Sequence, residues 1–165
     1  MSSGSQAVSP VLREQFVDPF VEATRVSMSD WATTDVVVQE VYEKTFDKPY
    51  GDISALLELT SGPEEALVLG FPQRTGAGLA KRVFAGVLEN LDTAIIHDCL
   101  GEFGNVIAGQ AKALLAGTPY HFIFSTPSVV AGTGPEIDRL VGKRCLVIVF
   151  ACDLGDFALQ LLLSR

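Results

Sequence analysis

Apolar side chains in the middle of the chain recur at spacings of three and four residues. Within residues 91–117 this spacing places one set on a common helix face: Ile96, Leu100, Phe103, Ile107 and Leu114. Such a pattern is typical of an amphipathic helix that buries one side. The sequence therefore predicts a long helix over residues 91–117, with these side chains in the core.

A second set of residues recurs with the same spacing on another face of this helix. Its members are Asp98, Glu102, Asn105, Gly109 and Lys112. The helix also contains Gly101 and Gly104, and each interior glycine costs about 1 kcal/mol relative to alanine. Asn105 is a further unfavourable choice, because its amide competes for backbone hydrogen bonds. Small residues around one glutamate and one asparagine indicate a surface that another molecule approaches closely. The alternative is a solvated face whose glycines serve helix packing.

The remaining pattern predicts an α+β domain with layers of helices and strands. A first helix over residues 11–32 contains Pro19, which cannot donate a helical hydrogen bond, so we expect a kink or a break there. A second helix over residues 77–88 precedes the long one. Apolar runs predict strands at residues 36–46, 53–60, 65–71, 120–124, 128–131, 144–151 and 157–163. This order favours a largely antiparallel sheet covered by long helices, with room for a helix–strand–strand unit that recurs in two halves.

The strands predicted at residues 144–151 and 157–163 are almost continuously apolar. This composition favours either central strands or strands at a subunit contact. An uncovered apolar edge strand promotes aggregation, and a closed twofold interface is the commonest cover, so we expect a homodimer in which Phe122 and Phe124 take part. The alternative is that both strands are central in a monomer, with a charged edge at residues 36–44.

Composition and charge restrict the classes of function. The 165 residues are 48% hydrophobic and carry a net charge of −8, which disfavours binding to nucleic acid or to an anionic membrane. We expect a loose N-terminal tail at residues 1–10 and one domain at residues 11–165. Residues 1–10 lack the features of a signal peptide, and no apolar run is long enough for a membrane span. A cytoplasmic location is therefore expected.

Other candidate sites carry less weight. The cysteines, Cys99, Cys145 and Cys152, have no zinc-site spacing, so we interpret them as small buried apolar residues and expect no metal site. A Gly-x-Gly sequence at Gly76 and Gly78 precedes a predicted helix, but it lacks the further residues of a nucleotide-binding fingerprint. We therefore interpret these glycines as structural.

The segment from residue 91 to residue 132 resembles the CheX branch of the CheC/CheX/FliY phosphatases of bacterial chemotaxis. The family motif is Asp or Ser, then Glu four residues later, Asn three residues after that, and a proline about two dozen residues on. Asp98, Glu102, Asn105 and Pro127 occupy these places. The resemblance implies a CheX-like fold and hydrolysis of the aspartyl phosphate of a CheY-like receiver domain.

The resemblance also implies roles for individual residues. Asn105 would orient the attacking water, and Glu102 would form an ion pair with a lysine of the receiver. Asp98, Gly101, Gly104, Gly109 and Lys112 would lie in the partner-binding surface. The chain itself would bind no cofactor, because the phosphorylated receiver would supply the Mg²⁺.

CheC-type relatives carry a second Glu-x-x-Asn motif on their other long helix. Its nearest counterpart here is Glu22, followed three residues later by Arg25. A guanidinium only donates hydrogen bonds and cannot replace a carboxamide that both donates and accepts. We therefore expect one active centre per chain.

Two other classes of function stay open at this point. The same helix face would serve a non-catalytic adaptor that binds a receiver or another signalling protein. Alternatively, the chain is a structural homo-oligomer domain in which that face is a packing surface.

Overall fold

The computed structural model of the protein describes residues 5–163. Its helices are α1 (Pro10–Leu12), α2 (Asp18–Ala32), α3 (Gln73–Val83), α4 (Thr93–Leu114) and α5 (Pro135–Asp138), and a π-helical turn, Arg13–Val17, joins α1 to α2. Its strands are β1 (Val37–Thr45), β2 (Ile53–Thr60), β3 (Glu64–Phe71), β4 (Ile123–Phe124), β5 (Ser128–Ala131), β6 (Arg144–Cys152) and β7 (Gly155–Leu163). None of the helices within this range combines the length and apolar character that a membrane crossing requires.

The strands form one antiparallel sheet, as the sequence predicts. Their order is β1-β6-β7-β3-β2-β4, and β5 also pairs with β2, beside β4. At each edge of the sheet, a strand that follows a long helix pairs with a strand from the other half of the chain. Thus α2 leads into β1, which pairs with β6, and α4 leads into β5, which pairs with β2. The two halves therefore repeat a helix–strand–strand–strand unit and exchange their first strands.

The long helices cover one face of the sheet. The core between them contains stacked phenylalanines, including Phe71 against Phe157 with ring centroids 5.3 Å apart and Phe157 against Phe150 at 5.2 Å. Phe20 of α2 stacks on Phe122, which follows α4, at 5.8 Å. These contacts hold α2 and α4 on the same layer, which positions the outer surface of α4.

The opposite face of the sheet has a thinner cover. Ile137 of α5 and Leu140, just after it, are buried there, together with Phe46. The amide side chain of Gln160 in β7 accepts a hydrogen bond from the Tyr50 backbone N–H at 3.0 Å and donates to the Lys48 carbonyl at 3.3 Å. This pair of hydrogen bonds holds the loop after β1 against the sheet. The sequence did not predict α5, since four residues are too few to show a helical period.

The first helix changes its hydrogen-bonding pattern where the sequence predicts an interruption. The π-helical turn Arg13–Val17 ends immediately before Asp18, and Pro19 lies in the first turn of α2. The helical backbone continues through Val17, so the missing N–H of Pro19 falls where the wider π-helical turn interrupts the regular hydrogen-bond ladder. In the described part of the predicted tail, Gln6 exchanges two backbone hydrogen bonds of 2.8 Å with Glu43 at the outer edge of β1. The first four residues of that predicted tail lie outside the described part of the chain.

The structure decides between the two interpretations of β6 and β7 and corrects the positions of two side chains. Strands β6 and β7 are central and do not form a sheet edge, because each has a neighbouring strand on both sides. Phe122 is buried against Phe20 within the chain. On α4, Leu114 is 51% exposed and Leu115 is buried in its place, because the helix ends there and the next residue turns inward.

The second helix, α3, begins and ends earlier than the predicted range of residues 77–88. Gly76 lies inside it, and a Cβ atom there would stand 2.9 Å from Leu100 Cδ1 of α4. The structural interpretation of this glycine is therefore confirmed. Arg82 of α3 is half-buried. It forms a two-pronged ion pair with Asp153 at 2.8 and 2.6 Å and donates to Thr34 Oγ1 at 2.8 Å. This bonding lowers the pKa of the Asp153 carboxyl.

Glu64, at the start of β3, is a buried carboxyl group. It is 1% exposed, and neither carboxylate oxygen has a hydrogen-bond partner within residues 5–163. Burial raises the pKa of Glu64 to about 7. Since its pKa in the unfolded chain is about 4.5, the folded protein retains this proton over a pH range in which the unfolded chain has lost it.

We therefore predict that wild-type stability falls as pH rises from 4.5 to 7, relative to Glu64→Gln. Between pH 5 and pH 8 the wild type should lose on the order of 2–3 kcal/mol more unfolding free energy than the variant. Urea unfolding at several pH values measures this difference. Glu89→Gln, at an exposed position, is the matched control and should follow the wild-type profile. Parallel pH profiles for wild type and Glu64→Gln would contradict the prediction.

Candidate functional site

The site is built on α4, whose orientation follows from its buried residues. The side chain of Asp92 caps the helix by accepting a hydrogen bond from the Ile95 backbone N–H at 2.8 Å. Leu100, Phe103 and Ile107 are fully buried on the sheet side. The polar stripe predicted from the sequence therefore faces away from the core along the middle of α4.

Glu102 and Asn105 lie on the same face of α4, one turn apart. Glu102 is exposed and Asn105 is half-buried. Asn105 Nδ2 donates to Glu102 Oε1 over 3.4 Å, a long hydrogen bond that links the two groups. Within residues 5–163 this bond leaves Asn105 Oδ1 and Glu102 Oε2 without a protein partner. One carboxamide oxygen and one carboxylate oxygen on the same helix face are thus available as hydrogen-bond acceptors for a partner.

Charges of opposite sign lie at the two ends of this stripe. Asp98, one turn before Glu102, is exposed. Lys112 is half-buried, with its Nζ atom 5.9 Å from the centre of the Phe124 ring. Ten residues of helix separate Glu102 from Lys112, or about 15 Å. A partner that covers the whole stripe would therefore meet an acidic end and a basic end, which specifies one orientation.

The structure brings Pro127 to the motif residues of α4. Its Cγ and Cβ atoms lie 3.8 and 3.9 Å from the position of a Cβ on Gly101, the residue before Glu102. Pro127 lies between β4 and β5 at the sheet edge, with Ser125, Thr126 and Ser128 exposed around it. Pro127, which the sequence related to the other motif residues only by spacing, thus lies against α4 at the residue before Glu102.

Gly101 and Gly104 do not open a path for a partner, contrary to the expectation from the sequence. Both are buried. A Cβ on Gly104 would lie 2.9 Å from Leu57 Cδ1 and 3.1 Å from Ala55 Cβ of β2, and a Cβ on Gly101 would lie 3.0 Å from Val129 Cγ2 of β5. These glycines let α4 approach its own sheet. Gly101 and Gly104 follow the core residue Leu100 by one and four residues, and this spacing was the sequence signal that they pack against the sheet.

Gly109 has a different environment from the other two glycines. It is half-buried, and the nearest atom to a Cβ there is Phe124 Cζ at 3.9 Å, an ordinary van der Waals contact. Gly109 therefore stays a candidate for contact with a partner.

Aromatic side chains flank the stripe, and the sequence did not associate them with the site. Phe124 lies beside Gly109 and Lys112 on the sheet side. Trp31, at the end of α2, is 38% exposed, and its ring centroid lies 5.9 Å from that of Phe103. The two belong to distant parts of the sequence, and only the packing of α2 and β4 on either side of α4 brings them together.

The remaining candidate residues are accounted for by packing or by local pairing. Burial raises the pKa of the Cys99 thiol to about 11 and that of the Cys145 thiol to about 12, which makes both weak nucleophiles. Cys152 is half-buried and donates to the Gly155 carbonyl at 3.2 Å. On α2, Arg25 donates to Glu22 at 3.1 Å beside a cleft of about 590 Å³ between α2 and β1.

Comparisons with known proteins agree with the geometry. A family model described as "Chemotaxis phosphatase CheX" matches residues 53–151. No curated protein matches the sequence at a significant level. A solved structure of a putative chemotaxis protein from Desulfovibrio vulgaris Hildenborough is 24% identical with a TM-score of 0.75, over 90% of this chain and 96% of that one.

Two further solved structures share the fold. The chemotaxis protein CheX from Desulfovibrio desulfuricans is 23% identical, with a TM-score of 0.73 over 90% of this chain and 98% of that one. A CheX–CheY–BeF₃–Mg²⁺ complex from Borrelia burgdorferi includes a chain that is 18% identical, with a TM-score of 0.72 over 91% of this chain and 98% of that one. At these identities the likeness is one of fold.

The environments of Gly104 and Gly109 predict opposite effects of the same substitution. Gly104→Ala should lower the unfolding free energy by on the order of 1 kcal/mol or more, because Ala55 Cβ leaves no room for a methyl group. Gly109→Ala should raise it by up to about 1 kcal/mol, because alanine favours the helix and its methyl group makes only an ordinary van der Waals contact with Phe124. Chemical unfolding of both variants measures the pair, and a gain in stability for Gly104→Ala would contradict the packing role.

Proposed function

The chain belongs to the CheX family of chemotaxis phosphatases, and from that premise we propose that it hydrolyses the aspartyl phosphate of a CheY-like receiver domain. The observation that carries the proposal is the outward-facing Glu102–Asn105 pair, linked over 3.4 Å on one face of α4. The position of Pro127 beside Gly101, the residue before Glu102, supports it. The Borrelia burgdorferi complex of CheX with CheY, BeF₃ and Mg²⁺ supports a receiver as the partner.

Hydrolysis of an acyl phosphate depends more on the positioning of the attacking water than on a reactive side chain. An acyl phosphate is already activated, and phosphoryl transfer is accelerated mainly by alignment and by neutralisation of charge. In the proposed complex Asn105 holds the attacking water in line with the phosphorus atom. Its carboxamide suits this task because it accepts and donates hydrogen bonds at the same time.

Glu102 is proposed to dock the receiver and to hold Asn105. Its Oε1 atom already accepts from Asn105, and the other carboxylate oxygen would pair with a lysine of the receiver. The receiver contributes the phosphorylated aspartate and its Mg²⁺, which neutralises charge on the phosphoryl oxygens. Asp98, Gly109 and Lys112 extend the docking surface along α4. A cytoplasmic location, where receivers are phosphorylated, is part of the same proposal.

Substitution of Asn105 separates catalysis from binding. Asn105→Ala should lower the rate at saturating phosphorylated receiver by on the order of a hundredfold, because it removes a group that acts in the transition state. Asn105→Asp, which keeps the shape but lacks the amide donor, should be similarly impaired. Glu102→Ala should raise KM as well. Loss of ³²P from a receiver domain of the same organism, with increasing receiver concentration, provides both constants.

The same assay discriminates the alternatives. Wild-type turnover by Asn105→Ala would contradict the catalytic role. A wild-type chain that binds the receiver without accelerating loss of phosphate would instead be an adaptor.

We also propose that two copies of the chain pair through their sheets, as the family resemblance implies. Because β6 and β7 are central strands, they do not support this pairing. The support comes from the outer edge of β1. Within residues 5–163 the single bridge from Gln6 to Glu43 covers one end of that edge, and Val37 at the other end is 63% exposed. An uncovered edge of this kind favours pairing with another strand. Such a dimer would carry two Glu102–Asn105 pairs and engage two receivers.

Sedimentation equilibrium at low micromolar concentration tests this pairing. The expected mass is about twice the chain mass of 17.7 kDa. Val37→Lys should shift the mass toward the monomer, because a charge at an open edge disfavours strand addition. Val11→Lys, also at an exposed valine, is the matched control. A wild-type mass of one chain would refute the dimer.

A further inference from the structure

Trp31 of α2 packs on Phe103 of α4, the residue directly after Glu102. Gly101 and Phe103 flank Glu102 in sequence, and each is rotated about 100° from it around the helix, in opposite directions. Gly101 contacts Pro127 and Val129 of the edge segment, whereas Phe103 contacts Trp31 of α2. The Glu102–Asn105 pair therefore lies between Pro127 and Val129 at the sheet edge and the indole ring of Trp31 on α2.

The indole is held in place before any partner arrives. Its ring is tilted by 52° on Phe103, which is fully buried. The backbone after it is also tied down: Thr33 adopts a left-handed conformation at the helix end, and Thr34 Oγ1 donates to the Ala32 carbonyl at 2.9 Å and accepts from Arg82 at 2.8 Å. A partner that contacts this ring would lose little conformational entropy in ordering it.

Trp31 has the properties of a residue that dominates a protein interface. It is a large aromatic side chain, 38% exposed, beside a polar centre that a partner must cover. Tryptophan is enriched among the few residues that contribute most of the binding energy at interfaces, because its ring excludes water over a large area. Because Trp31 packs on Phe103, the residue after Glu102, a receiver that covers Glu102 and extends toward α2 would meet the exposed part of the indole.

We propose that Trp31 is the apolar anchor of the receiver on the α2 side of the site, in contact with an aliphatic part of the receiver surface next to its phosphorylated aspartate. This inference rests on the proposed receiver partner. It assigns to Trp31 a role in binding and none in the chemical step.

The first test separates KM from kcat. Trp31→Ala should raise KM for the phosphorylated receiver about tenfold, as for an interface hot spot, with kcat within about twofold of wild type. Trp31→Phe, which keeps a ring on Phe103, should recover most of this loss. Val141→Ala is the control, since Val141 is 53% exposed and follows α5 on the opposite face of the sheet. A wild-type KM for Trp31→Ala, or a fall in kcat alone, would overturn the proposal.

The second test needs no substitution. The chain contains one tryptophan, so incorporation of 5-fluorotryptophan yields one ¹⁹F resonance that reports on this ring. Titration with a receiver activated by beryllium fluoride and Mg²⁺, an analogue of the phosphorylated state, should shift this resonance in both wild type and Asn105→Ala. A resonance that stays fixed while the receiver binds would overturn the role of Trp31.

The two proposals fail in different ways. Absence of phosphatase activity in the wild type with a shifted resonance would refute the catalytic function and leave the anchor supported. Full activity with an unmoved resonance would refute the anchor and leave the function supported.

Discussion

The close approach of α4 to its own sheet determines the geometry of the site. At Gly104 the helix backbone comes so near to β2 that a single methyl group would meet Ala55 Cβ at 3.1 Å. This contact sets the rotation of α4 about its axis, and the rotation in turn directs Glu102 and Asn105 outward. A catalytic pair on a helix seated in this way is held by core packing, whereas a pair on a loop would rely on its own hydrogen bonds.

The sheet edge beside α4 also constrains the site, and its irregular strands serve two purposes. Strands β4 and β5 have two and four residues, and the segment between them departs from the ladder, where Glu58 donates its backbone N–H to Ser125 Oγ at 3.0 Å. Short, interrupted edges resist pairing with other chains, and Pro127 removes a backbone donor there. The same interruption places Pro127 against α4. The interruption between β4 and β5 therefore protects the sheet edge and also forms one side of the site.

Much of the fold was predictable because the signals were periodic and local. The apolar repeat of α4, the two polar residues that recur with it, and the strand positions all follow from spacing along the chain. What depended on three-dimensional packing was missed or left open: the inward role of Gly101 and Gly104 and the exposure of Leu114 where α4 ends were missed, and the choice between central strands and a subunit contact for β6 and β7 was left open. The flanking position of Trp31 also escaped prediction, since no periodicity links it to residues more than sixty positions away.

The exchange of first strands between the two halves has a consequence for synthesis of the chain. Strands β6 and β7 lie in the middle of the sheet, yet they follow the other described strands in sequence. Until they leave the ribosome, β1 has no partner for the register that joins Val37 to Ala151, and β3 exposes the side that β7 later covers. The elements of the site, α4, β2 and β5, are complete earlier, but the sheet beneath them closes last. Nascent chains that already display the motif helix therefore pass through a stage with open strands, which makes chaperone binding most valuable at that stage.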